Sequence, residues 1–381
     1  MGSILLAWLQ LTFEKRRFFA ALAGITFAVV LMLMQLGLRE VLYRASSLVP
    51  AHVAGDLVML HRQYEFLYAL RSFSEHRLHS ALAVPGVRSV TPAYLQMGSW
   101  KNPDTGDDHR IAVIGVPASG DVLDLPPLAG MMSRLATPDA VLFDAGSRPE
   151  YGAIAAMLGR GSVVTEVNDR RITVAGTFDL GASFGAGGHL LTSDRNFSRL
   201  FGRPLDMIDI GLIRVAPGAD LEEVRRAIAS RVPDDVVVLT RADFAAREAD
   251  YWEKRAAIGF IFDLGAVMGL LVGAVIVYQI LYTDVVNHLD EYATLKAMGL
   301  RDRYLYAVVL NESVFLSVLG FVPGYVIAVL LYVVARHNAH VPVEMTLARA
   351  VGVFLLTVMM CLGSGWLAMR KLTYADPAEV F

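Results

Sequence analysis

Residues 181–185 read GASFG and match the pattern Gly-x-Ser-x-Gly, in which a serine can act as the nucleophile of a hydrolase. That chemistry needs a strand before the serine and a helix after it, which together expose the hydroxyl on a sharp turn. A strand-like VAGTFDL precedes Ser183, but the AGGHLLTS that follows lacks a helical pattern. Because four glycines lie between residues 181 and 188, we interpret the segment as a flexible loop and keep the hydrolase as an alternative.

Other chemistries find little support in the sequence, and no catalytic residue is predicted. His337 and His340 form HNAH, which lacks the i, i+4 spacing of helical metal ligands, so no metal site is predicted. The phosphate-binding pattern G-x-x-x-x-G-K-[ST] does not occur, so any ATP and Mg²⁺ would be bound by another subunit and this chain would bind no cofactor. Cys361 is the single cysteine and cannot form an internal disulfide. A formal net charge of −3 argues against a basic nucleic-acid surface.

Two carboxylates lie inside long apolar runs. Asp263 and Glu312 each fall near the start of such a run. Carboxylates within a membrane are costly and are therefore candidates for a transport or gating role. Both also lie within about two turns of a run's end, where capping or packing would explain them equally well.

The elements that position these residues are predicted from composition and hydropathy. Of 381 residues, 55% are hydrophobic and 19% charged, and the mean hydropathy is +0.48, which indicates a membrane protein with a soluble part. Four apolar runs have about 20 residues or more, enough to cross a ~30 Å hydrocarbon core. The predicted transmembrane helices are residues 18–38, 257–282, 304–334 and 347–369. Residues 1–17 are predicted to form an amphipathic helix on the membrane surface, with Trp8 toward lipid.

The distribution of basic residues predicts the orientation. Basic residues lie before the first run, between the second and third, and after the fourth, at Lys15–Arg17, Lys296–Arg303 and Arg370–Lys371. Since cytoplasmic loops are enriched in Lys and Arg, both termini, including the tail 370–381, are predicted to be cytoplasmic. Residues 39–256 and the short loop 335–346 would then lie on the outer side of the membrane.

The cytoplasmic segment 283–303 contains EYATLKAMGL, which has helical composition and ends at Gly299, a plausible helix C-cap. Tyr292, Leu295 and Met298 recur at helical spacing and form one apolar face. A short cytoplasmic helix with an apolar face needs a surface to cover it, either the membrane or another protein.

The long outer segment is predicted to be an α/β domain. Two pieces, within 56–115 and 205–250, each read β-α-β and resemble the halves of a split, ferredoxin-like unit. Between them, residues 116–204 read mostly as strands, including a hairpin around Asn168 and Asp169. The predicted fold is therefore four transmembrane helices with a large α/β extracytoplasmic domain between helices 1 and 2.

Several of these segments resemble a known family. EYATLKAMGL is similar to the R-E-x-A-x-L-K/R-A-x-G signature of FtsX/MacB-type ABC transporter permeases (the type VII superfamily), and the C-terminal DPAEVF is similar to their tail DPAEAL. Within that superfamily the chain most resembles the DevC family, through LAWLQLTFEKRR, VLFDAGSRPEYG, VAGTFDLGASFGAGG, VYQILYTDV and GFVPG. Asp290 departs from the pattern, since many members have Arg there.

The resemblance implies a function and a set of partners. Such permeases are non-catalytic subunits that work as homodimers with a dimer of a separate ABC ATPase, in the bacterial inner membrane. DevC-type systems also use a periplasmic membrane-fusion adaptor and an outer-membrane duct, and they export glycolipids or other amphiphiles. By this resemblance Asp376 and Pro377 would lie near the ATPase. The residues that would form the ATPase-coupling helix are Glu291, Tyr292, Leu295, Lys296, Ala297, Met298 and Gly299.

Two alternatives remain open at this point. The chain could extract a lipid or lipoprotein directly from the inner membrane, or it could use the ATPase to regulate a periplasmic enzyme. The sequence identifies neither the cargo nor its point of entry.

Overall fold

The computed structural model describes residues 2–118, 123–125, 128, 130–255, 257–288, 291, 294, 298, 302–339 and 343–372. The chain divides into two compact units, one formed by Met1–Val41 with Ala257–Phe381 and the other by Leu42–Ala256. The first is called the helical unit and the second the α/β unit.

The helical unit contains, in its described residues, the four helices that are long and apolar enough to cross a membrane, as the predicted fold class requires. A shorter helix precedes them. The helices are α1 (Gly2–Phe13), α2 (Lys15–Ser46), α9 (Ile258–Asn287), α10 (Asp302–Ala339) and α11 (Leu347–Leu372). Along the chain, the α/β unit therefore lies between the first and second of the four long helices.

Small residues allow close packing among these helices. A Cβ added to Gly320 would lie 2.5 Å from Ile25 Cγ2, and one added to Gly324 would lie 2.7 Å from Val29 Cγ1. Both glycines belong to α10 and both contacts are with α2, so a larger residue would push the two helices apart. The Thr26 hydroxyl also donates to the Gly320 carbonyl at 3.2 Å, which links the same helices.

The helices extend beyond the apolar runs that predict them. The first long helix begins at Lys15 and continues to Ser46, so Lys15–Arg17 belong to α2, whereas the helix at the position of the predicted surface helix, α1, ends at Phe13. Similarly, α9 continues to Asn287, and α10 reaches Ala339 inside the segment predicted as the loop 335–346. Hydropathy marks the apolar part of a helix, whereas polar residues such as Glu, Lys and Arg continue a helix equally well.

The α/β unit is built on one large sheet. Its described strands are β1 (Leu57–His61), β2 (Phe73–Ser74), β3 (Val87–Lys101), β4 (Asp108–Val116), β5 (Ala140–Asp144), β6 (Val163–Val167), β7 (Arg170–Phe178), β8 (His189–Ser193), β9 (Met207–Ile208), β10 (Ile210–Val215) and β11 (Val236–Thr240). Its α-helices are α3 (Leu48–His52), α4 (Glu75–Ser80), α5 (Ile154–Leu158), α6 (Asp194–Phe201), α7 (Leu221–Ala229) and α8 (Arg241–Asp250).

The described strands of the large sheet have the order β11-β1-β10-β3-β4-β8-β5-β7-β6. The first four are antiparallel, and with α4 and α7 they have the strand order of a split β-α-β, ferredoxin-like arrangement. Asp220 caps α7 by accepting from the Glu222 and Glu223 amides, and Thr240 caps α8 through the Asp243 amide. Short polar residues at the strand-to-helix junctions thus define where these helices begin.

Strand β3 corrects the predicted boundary of the inserted part. Its first half pairs with β10, and its second half, from Tyr94 onward, pairs with β4. Trp100 also pairs with Val167, so β3, β4, β8, β5, β7 and β6 form a closed ring of strands. The β-rich part therefore begins within β3, before the predicted start at residue 116, because this one long strand belongs both to the ferredoxin-like part and to the ring.

Candidate functional site

The structure separates the two intramembrane candidates by their surroundings. Asp263 Oδ1 lies 2.8 Å from Arg39 Nη1, and both side chains are partly exposed. Asp263 therefore neutralises a neighbouring charge on α2. Glu312 is fully buried, and neither of its carboxyl oxygens has a hydrogen-bond partner among the described residues. A buried carboxyl group without a partner is costly, so Glu312 is the stronger functional candidate of the two.

We expect Glu312→Leu to raise the thermal stability of the helical unit. Replacing an unsatisfied buried polar group by an apolar one recovers about 1–3 kcal/mol, which corresponds to several degrees in melting temperature. The measurement is thermal unfolding of the full chain in detergent, with Glu312→Gln as the control because an amide leaves two polar atoms to satisfy. A lower melting temperature for Glu312→Leu would show that the carboxyl group contributes to folding.

A polar cluster that was not predicted from the sequence joins α2, α10 and α11. The Arg349 guanidinium donates to the Glu40 carboxylate, to the Tyr332 hydroxyl at 3.1 Å and to the Glu344 carbonyl at 2.9 Å. Tyr332 in turn donates to the Leu33 carbonyl. The signal was available, since Arg349 is a charged residue within the predicted run 347–369. The position of Arg349 in this run could not show that its partner is Glu40, because Glu40 is 309 residues distant along the chain.

Most of the predicted coupling segment lies outside the described residues. Of its members, Glu291 is helical, and Met298 lies in a turn with its side chain 69% exposed. The predictions for Tyr292, Leu295, Lys296, Ala297 and Gly299, and those for Asp376 and Pro377 in the tail, concern residues that the structure does not describe.

The GASFG segment does not have the geometry of a nucleophile elbow. The described residues 181–188 contain neither helix nor strand, and the next element is the strand β8. Ser183 is 4% exposed; its hydroxyl donates to the Ala186 carbonyl at 3.2 Å and accepts from the Ala186 amide at 3.1 Å. A hydroxyl so enclosed holds the loop in shape, and it is not presented to a substrate.

Ser183 is the end of a buried polar chain that resembles a catalytic triad with an extra member. The Tyr68 hydroxyl bonds both to Ser183 Oγ and, at 3.0 Å, to His189 Nε2. On the other side of the ring, His189 Nδ1 lies 3.3 Å from Asp144 Oδ2. Because Tyr68 separates serine from histidine, the imidazole cannot take the proton of Ser183 directly. Burial raises the pKa of the Tyr68 hydroxyl, so Tyr68 stays protonated as a structural link.

Asp144 fixes the start of the loop 181–188. It accepts from the amides of Gly146, Leu180 and Gly181 at distances between 2.9 and 3.1 Å. Burial by itself would raise the pKa of this carboxyl, but the hydrogen bonds from His189, Leu180 and Gly181 outweigh burial and hold the pKa below its usual value. The loop is therefore anchored by an ionised carboxylate inside the α/β unit.

A cavity of about 430 Å³ opens beside this loop, within the size range of small-molecule sites. It combines aromatic side chains with charged ones, and local sequence patterns did not predict it because its walls come from six separate segments of the chain. The side chains that line it include Phe66, Tyr68, Met97, His109, Arg110, Arg148, Glu150, Tyr151, Phe184 and Trp252. Within the described residues, no group of three or more His, Cys, Asp and Glu side chains is arranged to hold a metal ion.

Comparison with known proteins gives a match in the helical unit. Residues 264–377 match the family described as FtsX-like permease C-terminal. A curated relative, the uncharacterized ABC transporter permease MJ1507 of Methanocaldococcus jannaschii, is 26% identical over 182 residues. The matched region is 44% of this chain and 44% of that relative, so the chain aligns with less than half of the relative's length.

Among solved structures, two extracytoplasmic domains are similar to part of this chain. The periplasmic region of MacB from Actinobacillus actinomycetemcomitans has 9% identity and a TM-score of 0.35, and covers 51% of this chain and 93% of its own. The extracellular domain of the noncanonic ABC-type transporter YknZ from Gram-positive bacteria has 11% identity and a TM-score of 0.33. It covers 48% of this chain and 99% of its own.

The match over residues 264–377 spans most of α9 and all described residues of α10 and α11, three of the four long helices. It confirms, at the level of the superfamily, the resemblance predicted from the sequence. The C-terminal part of the chain is thus similar to the FtsX-like permease domain, and part of the chain is similar in sequence to an archaeal ABC transporter permease.

Proposed function

We propose that this chain is the membrane subunit of an ATP-driven export complex in which a separate ATPase hydrolyses ATP. The observation that carries the proposal is the FtsX-like match over residues 264–377, which include three helices long enough to span a membrane. The sequence contains no P-loop pattern, so the proposal assigns ATP and Mg²⁺ to the partner. Two copies of the chain, as a homodimer in the bacterial inner membrane, would engage two copies of the ATPase.

In this proposal the segment 291–299 is the contact with the ATPase, and the tail with Asp376 and Pro377 lies near it. The exposed apolar side chain of Met298 supports such a contact, because an apolar group that is 69% exposed at a turn is available for burial against a partner. Closure of the ATPase dimer would push on this segment. The displacement would pass along α9 and α2, which lead into the α/β unit at either end of its sequence.

The proposed cargo is a glycolipid or another amphiphile, passed through a periplasmic adaptor of the membrane-fusion type and an outer-membrane duct. These finer assignments are carried over from the DevC resemblance. A lever mechanism suits the helical unit, since its buried polar side chains are few among the described residues and include the unpartnered Glu312.

Copurification tests this proposal. The full chain, tagged and expressed in its native host, is extracted in mild detergent with and without a non-hydrolysable ATP analogue. Recovery of an ATPase, a membrane-fusion adaptor and a duct supports export. An ATPase with a cell-wall enzyme and no adaptor would favour a regulatory role, and an ATPase with lipoprotein alone would favour extraction from the membrane. Absence of any ATPase in either nucleotide state would overturn the proposal.

A further inference from the structure

We propose that the cavity of the α/β unit binds an acidic sugar, a ring with an apolar face that also bears a carboxylate or phosphate group. The ligand could be a free sugar or the headgroup of a lipid, which share this chemistry. The inference deepens the proposed export function, and its relevance to transport rests on that function. Binding itself does not depend on an ATPase and is tested without one.

One wall of the cavity is a cluster of aromatic rings. Phe66 stacks on Tyr251 with a centroid distance of 4.6 Å, and Trp252 lies edge-on to Phe66 at 5.5 Å and to Phe184 at 4.8 Å. Phe184 is 42% exposed, so part of its ring is open to a ligand. The electron-rich face of an aromatic ring attracts the C–H groups on the apolar face of a sugar, and the same contact removes apolar surface from water.

The lining of the cavity also supplies positive charge. Arg110 and Arg148 line the cavity and are exposed, and neither guanidinium pairs with a carboxylate among the described residues. A guanidinium presents several N–H donors in a plane that matches two oxygens of a carboxylate or phosphate. Glu150 and His109 add hydrogen-bonding groups for hydroxyls on the same ring. The combination of aromatic faces with unpaired cations distinguishes an acidic sugar from a neutral one.

The cavity is held in shape before any ligand enters. Trp252 Nε1 donates to Glu248 Oε1 at 3.0 Å, and Glu248 Oε2 accepts from the Leu67 amide at 3.0 Å, so the indole is fixed to the segment that carries Phe66 and Tyr68. The loop 181–188 approaches Tyr68 so closely that a Cβ added to Gly185 would lie 2.1 Å from the Tyr68 ring. A preformed site loses less conformational entropy on binding.

Trp252 lies close in the sequence to the start of α9. Trp252 belongs to a π-helical turn, Tyr251–Arg255, and the long helix α9 begins at Ile258. Single π-helical turns occur frequently at functional sites. A ligand that packs against Trp252 would therefore contact the segment that precedes a long helix of the FtsX-like domain.

The test measures binding of glucuronate to the full chain in phosphatidylcholine nanodiscs by isothermal titration calorimetry. We expect saturable binding that weakens at least tenfold in Arg148→Gln, in Arg110→Gln and in Phe184→Ala. Arg160→Gln is the matched control, because Arg160 is exposed on the same unit but does not line the cavity. Neutral glucose should bind at least tenfold more weakly than glucuronate to the unaltered chain.

A second arm distinguishes the source of the ligand. Nanodiscs that contain glucuronosyl diacylglycerol should reduce glucuronate binding by competition if the headgroup of a lipid can reach the cavity, and unchanged binding would assign the site to a free sugar. No binding in either arm, or binding equal in the Arg148→Gln and Arg160→Gln variants, would overturn the proposal. Failure to recover an ATPase would instead contradict the export function and leave these binding results unaffected.

Discussion

Met298→Glu should lower ATP-driven export about tenfold or more while the chain remains inserted in the membrane. The Met298 side chain is 69% exposed at a turn in the segment between the second and third long helices. Burying a methionine against a partner contributes about 1.5–3 kcal/mol to the binding free energy. A charged replacement would lose this contribution and add the cost of removing the charge from water. Leu295→Glu, at a residue that the structure does not describe, is predicted from the sequence pattern alone to have the same effect.

The measurement is recovery of the ATPase with each variant, together with ATP-driven release of cargo from vesicles that contain the reconstituted complex. Met298→Leu is the matched control because it keeps an apolar side chain of similar size, and it should retain most of the activity. Digestion of the α/β unit by a protease added to intact cells shows whether each variant is inserted in the membrane. If Met298→Glu binds the ATPase and exports as well as Met298→Leu does, the coupling segment is assigned wrongly.

Asp144→Ala should destabilise the α/β unit by about 3–5 kcal/mol, the cost of leaving several buried donors without their acceptor. Asp144 is fully buried and accepts from the amides of Gly146, Leu180 and Gly181 as well as from His189. Asp144→Asn should have an intermediate effect, since the amide keeps one acceptor oxygen but points its own donors at backbone donors. Because these donors hold the loop 181–188, glucuronate binding should fall with stability.

The stabilisation from Asp144 also has a defined pH dependence. The folded state holds the pKa of this carboxyl below its usual value, so the unfolded state takes up a proton first as the pH falls. The contribution is therefore complete above the unfolded pKa of about 3.9 and is lost as the pH falls through the lower, folded value. The stability difference between the unaltered chain and Asp144→Asn should be constant from about pH 6 to 8 and shrink below about pH 4.

Thermal unfolding of the full chain in detergent, followed by circular dichroism across this pH range, provides the measurement. Asp107→Ala is the control, since Asp107 is an exposed carboxylate on the same unit. A loss of stability for Asp144→Ala no larger than that for Asp107→Ala would show that the network around His189 does not stabilise the fold.

The sequence was a good guide where a feature depends on residues close together in the chain. The four long helices followed from continuous apolar runs, because a bilayer imposes a minimum length on any helix that crosses it. The hairpin at Asn168 and Asp169 followed from residue types that tolerate positive φ, and both residues adopt it, at 51° and 59°. The superfamily signature was likewise a local pattern, and the match over residues 264–377 supports it.

Helix ends and the boundary of the inserted β-rich part were less predictable. Polar residues continue α2 and α10 past their apolar runs, so hydropathy alone could not locate their ends. The strand β3 appeared as part of one β-α-β piece, but its two halves pair with different neighbours. Strand pairing depends on contacts between residues far apart in the sequence, and the pattern of neighbouring residues does not reveal which strands pair.

The sequence by itself thus predicted a membrane protein with an FtsX-like part, since apolar run length and a short signature are properties of neighbouring residues. Only the tertiary structure decided what the isolated polar residues do. It paired Arg349 with Glu40, placed Tyr68 between Ser183 and His189, and left Glu312 buried without a partner among the described residues. These outcomes depend on contacts across 100 or more positions of the chain, where burial and distance, not residue type, determine the energy of a polar group.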